Sequence, residues 1–592
     1  MIKTILGLIL LLIPFLLIYK FKDKKIGFAY ILSFLIASHL LLAVVLQAFG
    51  IFNYLIVFGI NLLLDMIIIV KTDFKNLFVN FKKIKANKID WILIFVVIVL
   101  FIQLFSVHYN YTGKATSIFE SYKEVKNMKY PYPYFSDEWA AVSFIKYSIN
   151  SGKLPLVNPL WHNEPFPNLE LPFHSFVSEI ILLLNLNPLT QYTLLTIFSG
   201  LLICLLVYFI LRVNKIDSLV SAIAALSIPY ITNGANLPGL WTLVPLILGI
   251  ISMLLGFIFM STKKNKMVLF LGLLTLIFYP PLFVLYGTSL IVYFIFSNIN
   301  KEKKIKYLGV FFWVCVFVVF ILSLFAYFVW GSFKEFFSYI LSKIFYETFT
   351  KGMIPDFLIF KIIPLPILFL SIFGILKITR KKLWLIAPIF VGLIYWILYS
   401  FVLWRFIIEY ERVIVSTSIL IVILSGLGLS YLIKDLQEFR FIRKYKILLI
   451  AQILILILFF VFCFFYTERD NWQTLKLHST YLDYSPAAPA SIYLHEDDLR
   501  LFKGIQQKRF LSLPWKGTVI GVATNNYPLY TKPATLTNQI VSFSDFMDAD
   551  CEEKSKIAKE YEINYVYSKK FNCSGFREIG DSSEGLYLYE AN

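Results

Sequence analysis

Phe135-Ser136-Asp137-Glu138-Trp139 sets two adjacent carboxylates at the head of a helical pattern that ends in Gly152-Lys153-Leu154-Pro155. Ser136 or Asp137 suits the N-cap, Trp139, Val142, Ile145 and Ile149 recur at helical spacing, and Gly152 and Pro155 stop the run. The spacing predicts a helix over 136–150 with one apolar face, lying flat on a membrane. Its acids then sit beside the first free backbone N–H groups, at the depth of a lipid headgroup.

Composition makes the membrane part of that expectation firm. Apolar residues form 58% of the 592, 59 of them Phe, and the mean hydropathy of +0.73 lies far outside the range of a soluble domain. The formal charge of +18 is no sign of nucleic acid, because the basic residues form no domain and cluster in short links between apolar runs. Those links are Lys20 to Lys25, Lys71 to Lys88, Arg212/Lys215, Lys263 to Lys266, Lys301 to Lys306, Lys377 to Lys382 and Lys434 to Lys446, and all are expected to face the cytoplasm and its anionic lipid.

Joining them with apolar runs of roughly 17–25 residues gives expected spans at 3–19, 26–48, 52–70, 90–107, 191–211, 217–233, 240–260, 267–280, 281–298, 307–330, 357–376, 383–403, 412–433 and 447–466. The fold class is therefore a polytopic α-helical membrane protein with about 14 transmembrane helices, external juxtamembrane helices and a small C-terminal external α/β domain. Tyr279-Pro280-Pro281 reads as a turn between two short spans. The first run continues past signal-peptide length into lysines and is expected to be retained. The apolar run from Phe173 to Leu186 is too short to cross, and counting it would put Arg212 and Lys215 outside. Residues 108–190 thus become one external loop, and the tail ends on the same side. Three regions follow: 1–89, extra N-terminal helices; 90–466, the transmembrane core; and 467–592, an external domain with alternating short strands and polar helices. Cys551 and Cys573 in that tail are placed to pair. Asp65, inside a span, calls for a partner on another helix.

A span, an external loop opening on Asp137-Glu138, a helix ending Gly152-Lys153-Leu154-Pro155-Leu156-Val157-Asn158-Pro159, a second short apolar helix, then many spans and a soluble tail resembles the GT-C superfamily of integral-membrane glycosyltransferases. That group includes the oligosaccharyltransferase catalytic subunit, the protein O-mannosyltransferases and the aminoarabinose transferases. The resemblance covers about residues 90–470 in layout and rests in sequence on Ser136 to Pro159. It implies transfer of a sugar from a polyprenyl-phosphate donor, held among the spans and membrane lipid, to an acceptor (protein, lipid or glycan) on the external face. Asp137 takes the place of the loop acid that serves as general base or as ligand to a divalent cation, Mg or Mn, with Glu138 beside it; metal-free base catalysis stays open.

Around Trp404 to Arg412, Arg405 and Arg412 break the cytoplasmic bias of basic residues. Either they pair with Glu409 and Glu411, or they fork the donor phosphate. His162, Glu164, Glu170 and His174 are secondary candidates that can join the acid pair. The chain departs from the oligosaccharyltransferase pattern at Thr232-Asn233-Gly234-Ala235-Asn236, where a second acidic motif is expected, and in lacking the WWDYG signature of the tail. A single-sugar transferase fits those departures better. A transporter or lipid flippase, or a noncatalytic assembly subunit in which the acids only cap their helix, are the alternatives; no internal repeat of the transporter kind is evident.

Overall fold

The computed structural model describes residues 2–72, 90–109, 111–116, 122–128, 132–133, 136–166, 168–231, 242–296, 363–398, 410–438, 496–531, 540–582 and 585–592, with six single positions at 307, 309, 312, 313, 316 and 494. Helices dominate. Among the described residues four are long and apolar enough to cross a membrane: Ile2–Lys20, Lys24–Ala48, Tyr192–Val213 and Arg412–Leu436. At 1.5 Å per residue the last, of 25 residues, exceeds the roughly 30 Å of hydrocarbon. These helices mark an integral membrane protein. They coincide with four of the expected spans; shorter apolar helices occupy most of the others, while 307–330, apart from five single positions, and 447–466 lie outside the described residues.

The chain divides into two compact units. The first comprises Met1–Leu42, Val57–Phe105 and Thr196–Trp472. Within it, Asn265–Phe278 and Phe283–Phe296 break apart at Tyr279 and fold back on one another, as the Pro-Pro pair leads one to expect. Tyr286 donates to the Val268 carbonyl at 2.6 Å and Tyr293 to Asn265 Oδ1 at 2.6 Å, closing the hairpin along its length. Leu365–Lys377 packs against Tyr410–Glu438 through two glycines. A Cβ on Gly374 would lie 2.3 Å from the Leu424 carbonyl oxygen, and one on Gly428 would lie 1.9 Å from that of Leu370, so only hydrogen fits at either point. Lys377 and Asp435 close the polar end of this pair at 3.0 Å. Buried Asp65 has the electrostatic partner its position demands, His39 on the preceding helix.

The second unit comprises Ala43–Ile56, Ser106–Leu195 and Gln473–Asn592, so the loop and the tail form one body with a short N-terminal turn. Along the loop come hairpin β1 (Tyr111–Thr116) and β2 (Tyr122–Met128), helix α1 (Ser136–Ser151), hairpin β3 (Val157–Asn158) and β4 (Glu164–Pro165), and helix α2 (Leu171–Leu183). At 13 residues α2 is about 20 Å long, too short to cross, as its apolar length implied. Helix α1 departs from the expected flat amphipath. Trp139, Ala140, Ala141, Val142, Phe144 and Ile145 are all buried, so its first three turns are enclosed on most sides instead of along one stripe. Gly152 ends it at φ +71°, against the Phe52 and Gly50 carbonyls of the N-terminal turn, where a Cβ would approach to 3.2 and 3.3 Å.

The tail forms α3 (Glu496–Leu501), β5 (Arg509–Ser512), α4 (Pro514–Thr524), β6 (Tyr527–Pro528), α5 (Phe543–Asp548), α6 (Cys551–Glu560), β7 (Tyr565–Ser568), β8 (Phe576–Asp581) and β9 (Tyr587–Ala591). Its sheet runs β6-β5-β7-β9-β8, parallel across β6, β5 and β7 and antiparallel thereafter. Consecutive residues on β5 serve both faces: Leu511 packs with Leu529, Phe546 and Val566, and Phe510 with Phe502, Ile520 and Leu588. Cys551 and Cys573 form a disulfide across this small core.

Candidate functional site

Asp137 and Glu138 occupy the first turn of α1, where backbone N–H groups lack helical partners and the helix dipole favours anions. The two side chains part company. Asp137 is half-buried, while Glu138 turns inward and is only 1% exposed. Both act electrostatically on the buried hydroxyl of Tyr192, and so does Glu170.

Behind Glu170 lies a buried polar seam. Asn168 spans it, donating through Nδ2 to the Pro155 carbonyl at 2.9 Å and accepting the Glu170 backbone N–H on Oδ1 at 3.0 Å. Its Nδ2 also stands 3.0 Å from His174 Nδ1. His174 is 1% exposed, wedged against Phe144 and Phe173, and burial pushes its imidazole down to about 3, so the ring is neutral. The next residue on the same helix, Ser175, donates to Gln47 Oε1 of the N-terminal turn at 2.7 Å.

The other sequence candidates are placed as follows. His162, with φ of +44°, turns toward the tail domain: Arg509 Nε donates to its Nε2 at 3.3 Å, and its ring centroid is 4.0 Å from that of Tyr527. Arg509 also lies over Trp161 and pairs with Glu562 at 2.9 Å, so Trp161-His162 is a docking element of the loop. Glu164 is exposed on β4. In the first unit Arg412 donates to the Tyr279 hydroxyl at 2.9 Å and lies 5.4 Å from the centre of its ring. Arg405 and Glu409 lie outside the described residues, and only the backbone of Glu411 is described. Residues 232–236 lie outside as well.

Tyr192 and Asn168 were not foreseen as members of the site. Tyr192 opens an apolar helix and carried no signal; Asn168 works through a carbonyl 13 residues away, invisible to local pattern. Among the described residues no three His, Cys, Asp or Glu converge as ligands for a metal ion. A half-exposed carboxylate such as Asp137 can accept a proton from a hydroxyl.

No family model matches the chain, and no curated protein matches it. Solved structures do. The apo oligosaccharyltransferase of Archaeoglobus fulgidus aligns with a TM-score of 0.51 at 12% identity, covering 82% of this chain and 70% of that one. The archaeal oligosaccharyltransferase AglB of the same organism, in complex with an inhibitory peptide and a dolichol-phosphate, aligns at 0.49 and 13% over 82% and 70%. A complex of the Archaeoglobus fulgidus enzyme with Zn and sulfate aligns at 0.45 and 12% over 80% and 68%. The chain thus shares the fold of the Archaeoglobus fulgidus oligosaccharyltransferase.

Proposed function

We propose that this protein is a glycosyltransferase that moves a sugar from a polyprenyl-phosphate-linked donor to an acceptor on the external face of the membrane. The observation that carries the proposal is the acid pair at the head of α1, one carboxylate half-exposed and one buried, on an oligosaccharyltransferase fold. Asp137 acts as general base, taking the proton of the acceptor nucleophile as it attacks the anomeric carbon and the lipid phosphate departs. Glu138 and Tyr192 hold the charge and orientation of that base. Arg412, already held over Tyr279, supplies a guanidinium for the departing phosphate, with Arg405 as its companion.

The span count of about 14, the external location of 108–190 and the tail, and the regions 1–89, 90–466 and 467–592 complete the proposal. A disulfide in the tail supports an oxidising, external compartment for it. The test is purified full-length protein with radiolabelled polyprenyl-phosphate sugars, comparing wild type with Asp137→Ala and Glu138→Ala. Transfer by wild type alone supports the assignment. Equal transfer by all three removes the site, and no transfer from any donor favours a transporter or an assembly subunit.

A further inference from the structure

We propose that Glu170 is a working acid of the Asp137/Glu138 site and that His174, fixed by Asn168, is its positioning residue through the imidazole Nε2–H. The side-chain pairing stands on geometry alone; the part Glu170 plays in turnover rests on the glycosyl-transfer reading.

Asn168 Nδ2 donates to Pro155 O and Asn168 Oδ1 accepts from Glu170 N–H. His174 Nδ1 lies 3.0 Å from that Nδ2 and 3.2 Å from that Oδ1. With Oδ1 already engaged by the Glu170 N–H, Nδ1 is taken as acceptor of the second Nδ2 hydrogen and Nε2 as the protonated nitrogen, the tautomer that the spectra below test. That Nε2 is buried and finds no hydrogen-bond partner among the described residues. It points toward Glu170 Oε2, 3.9 Å away. The distance is longer than a direct hydrogen bond and within reach of a torsion of the Glu170 side chain, which is 27% exposed. The ring itself cannot move to meet it, since Phe144, Phe173 and Asn168 hold three of its sides. Glu170 also precedes α2, where the exposed helix N–H groups favour a carboxylate.

Buried donor and half-buried acceptor are therefore matched: His174 Nε2, without a hydrogen-bond partner among the described residues, faces the acid that acts electrostatically on Tyr192 together with Glu138 and Asp137. An ionised carboxylate held there accepts hydrogen bonds from the hydroxyls of a sugar or of an alcohol acceptor, and a fixed imidazole N–H keeps it ionised and oriented.

Two measurements on full-length protein test this. The first is independent of activity: 15N spectra of histidine-labelled protein, with His174→Phe to assign the signal. The expected result is one histidine that stays neutral at pH 5 with its proton on Nε2 and whose Nε2–H resonance moves in Glu170→Gln. A His174 that titrates like a free imidazole, or a resonance unmoved in Glu170→Gln, overturns the pairing. The second is transfer from a polyprenyl-phosphate sugar. Glu170→Gln and His174→Phe should each lower kcat about tenfold, the size of one hydrogen bond to a charged group. The double variant should lose little more, His174→Gln should restore part of the loss, and His174→Phe should move the acid limb of the profile to higher pH. Additive losses, or an unmoved profile, overturn the role of Glu170. Wild-type protein inactive with every donor overturns that role together with the glycosyl-transfer reading, while the spectra still decide the pairing.

Discussion

The ammonium of Lys146, near the middle of α1, donates to Asn525 Oδ1 at 2.8 Å at the far end of α4. It also donates to the Val522 carbonyl, so a cation from the acid-bearing helix caps a tail helix at its negative end. Burial pushes this lysine down to about 8. Between pH 8 and its unfolded value near 10.5 the unfolded chain holds a proton that the folded lysine has released, so the contribution of this group to stability rises with pH across that window. Lys146→Met should flatten the rise. The check is the Tm difference between wild type and Lys146→Met at pH 7.5 and 9.5, which should shift in favour of wild type at the higher pH. An unchanged difference would show that Lys146 titrates normally.

Asp137 and Glu138 differ in burial, and their variants should differ in kind. Asp137→Asn removes a half-exposed base and should cut turnover by about 10²–10⁴-fold with little change in Tm. Glu138→Ala truncates a buried side chain among Tyr192 and its neighbours, and should lower both activity and Tm. Paired melting and transfer assays separate the two. Equal Tm losses would mean that both acids only cap α1.

Much of the candidate unit was legible because its cues are local. Gly152 stops α1 by its left-handed backbone, α2 follows from apolar length, and Cys551–Cys573 follows from both thiols lying in the tail. The fold-back at Tyr279 follows from two prolines, and the partner of Asp65 from the cost of an acid in a span. What could not be read is tertiary. Ala140, Ala141 and Ser143 look like the exposed side of a surface helix, yet small residues are what a second packed layer requires. His162 looked like a neighbour of the acids, but Arg509, far away in the chain, draws it to the tail. The link from His174 to Glu170 depends on an asparagine whose anchoring carbonyl lies in another turn.

Gly374 and Gly428 face each other's helix backbones without space for a methyl group. Gly428→Val should force the helices apart, at a cost of about 1–3 kcal/mol or more. The expected result is loss of monodisperse protein on size-exclusion in detergent. Gly59, where an added Cβ would meet nothing within 4 Å among the described residues, serves as the control, and Gly59→Ala should leave the profile unchanged.

Asp498 and Lys516 form a fully buried ion pair in the tail, Nζ to Oδ2 2.6 Å, with the Tyr567 hydroxyl on the other carboxylate oxygen at 2.7 Å. Removing one charge strands its partner in a low dielectric, so Asp498→Ala should destabilise the tail domain by about 3–5 kcal/mol. Replacing both at once removes the stranded charge. Asp498→Leu with Lys516→Met should therefore recover most of the loss, Tyr567→Phe sparing the hydroxyl that would lose its acceptor. Denaturation of the full chain, followed by tail-specific proteolysis, reads the difference. A double variant as unstable as Asp498→Ala would mean that the pair acts through its hydrogen bonds to the surrounding chain, and that charge burial is the lesser effect.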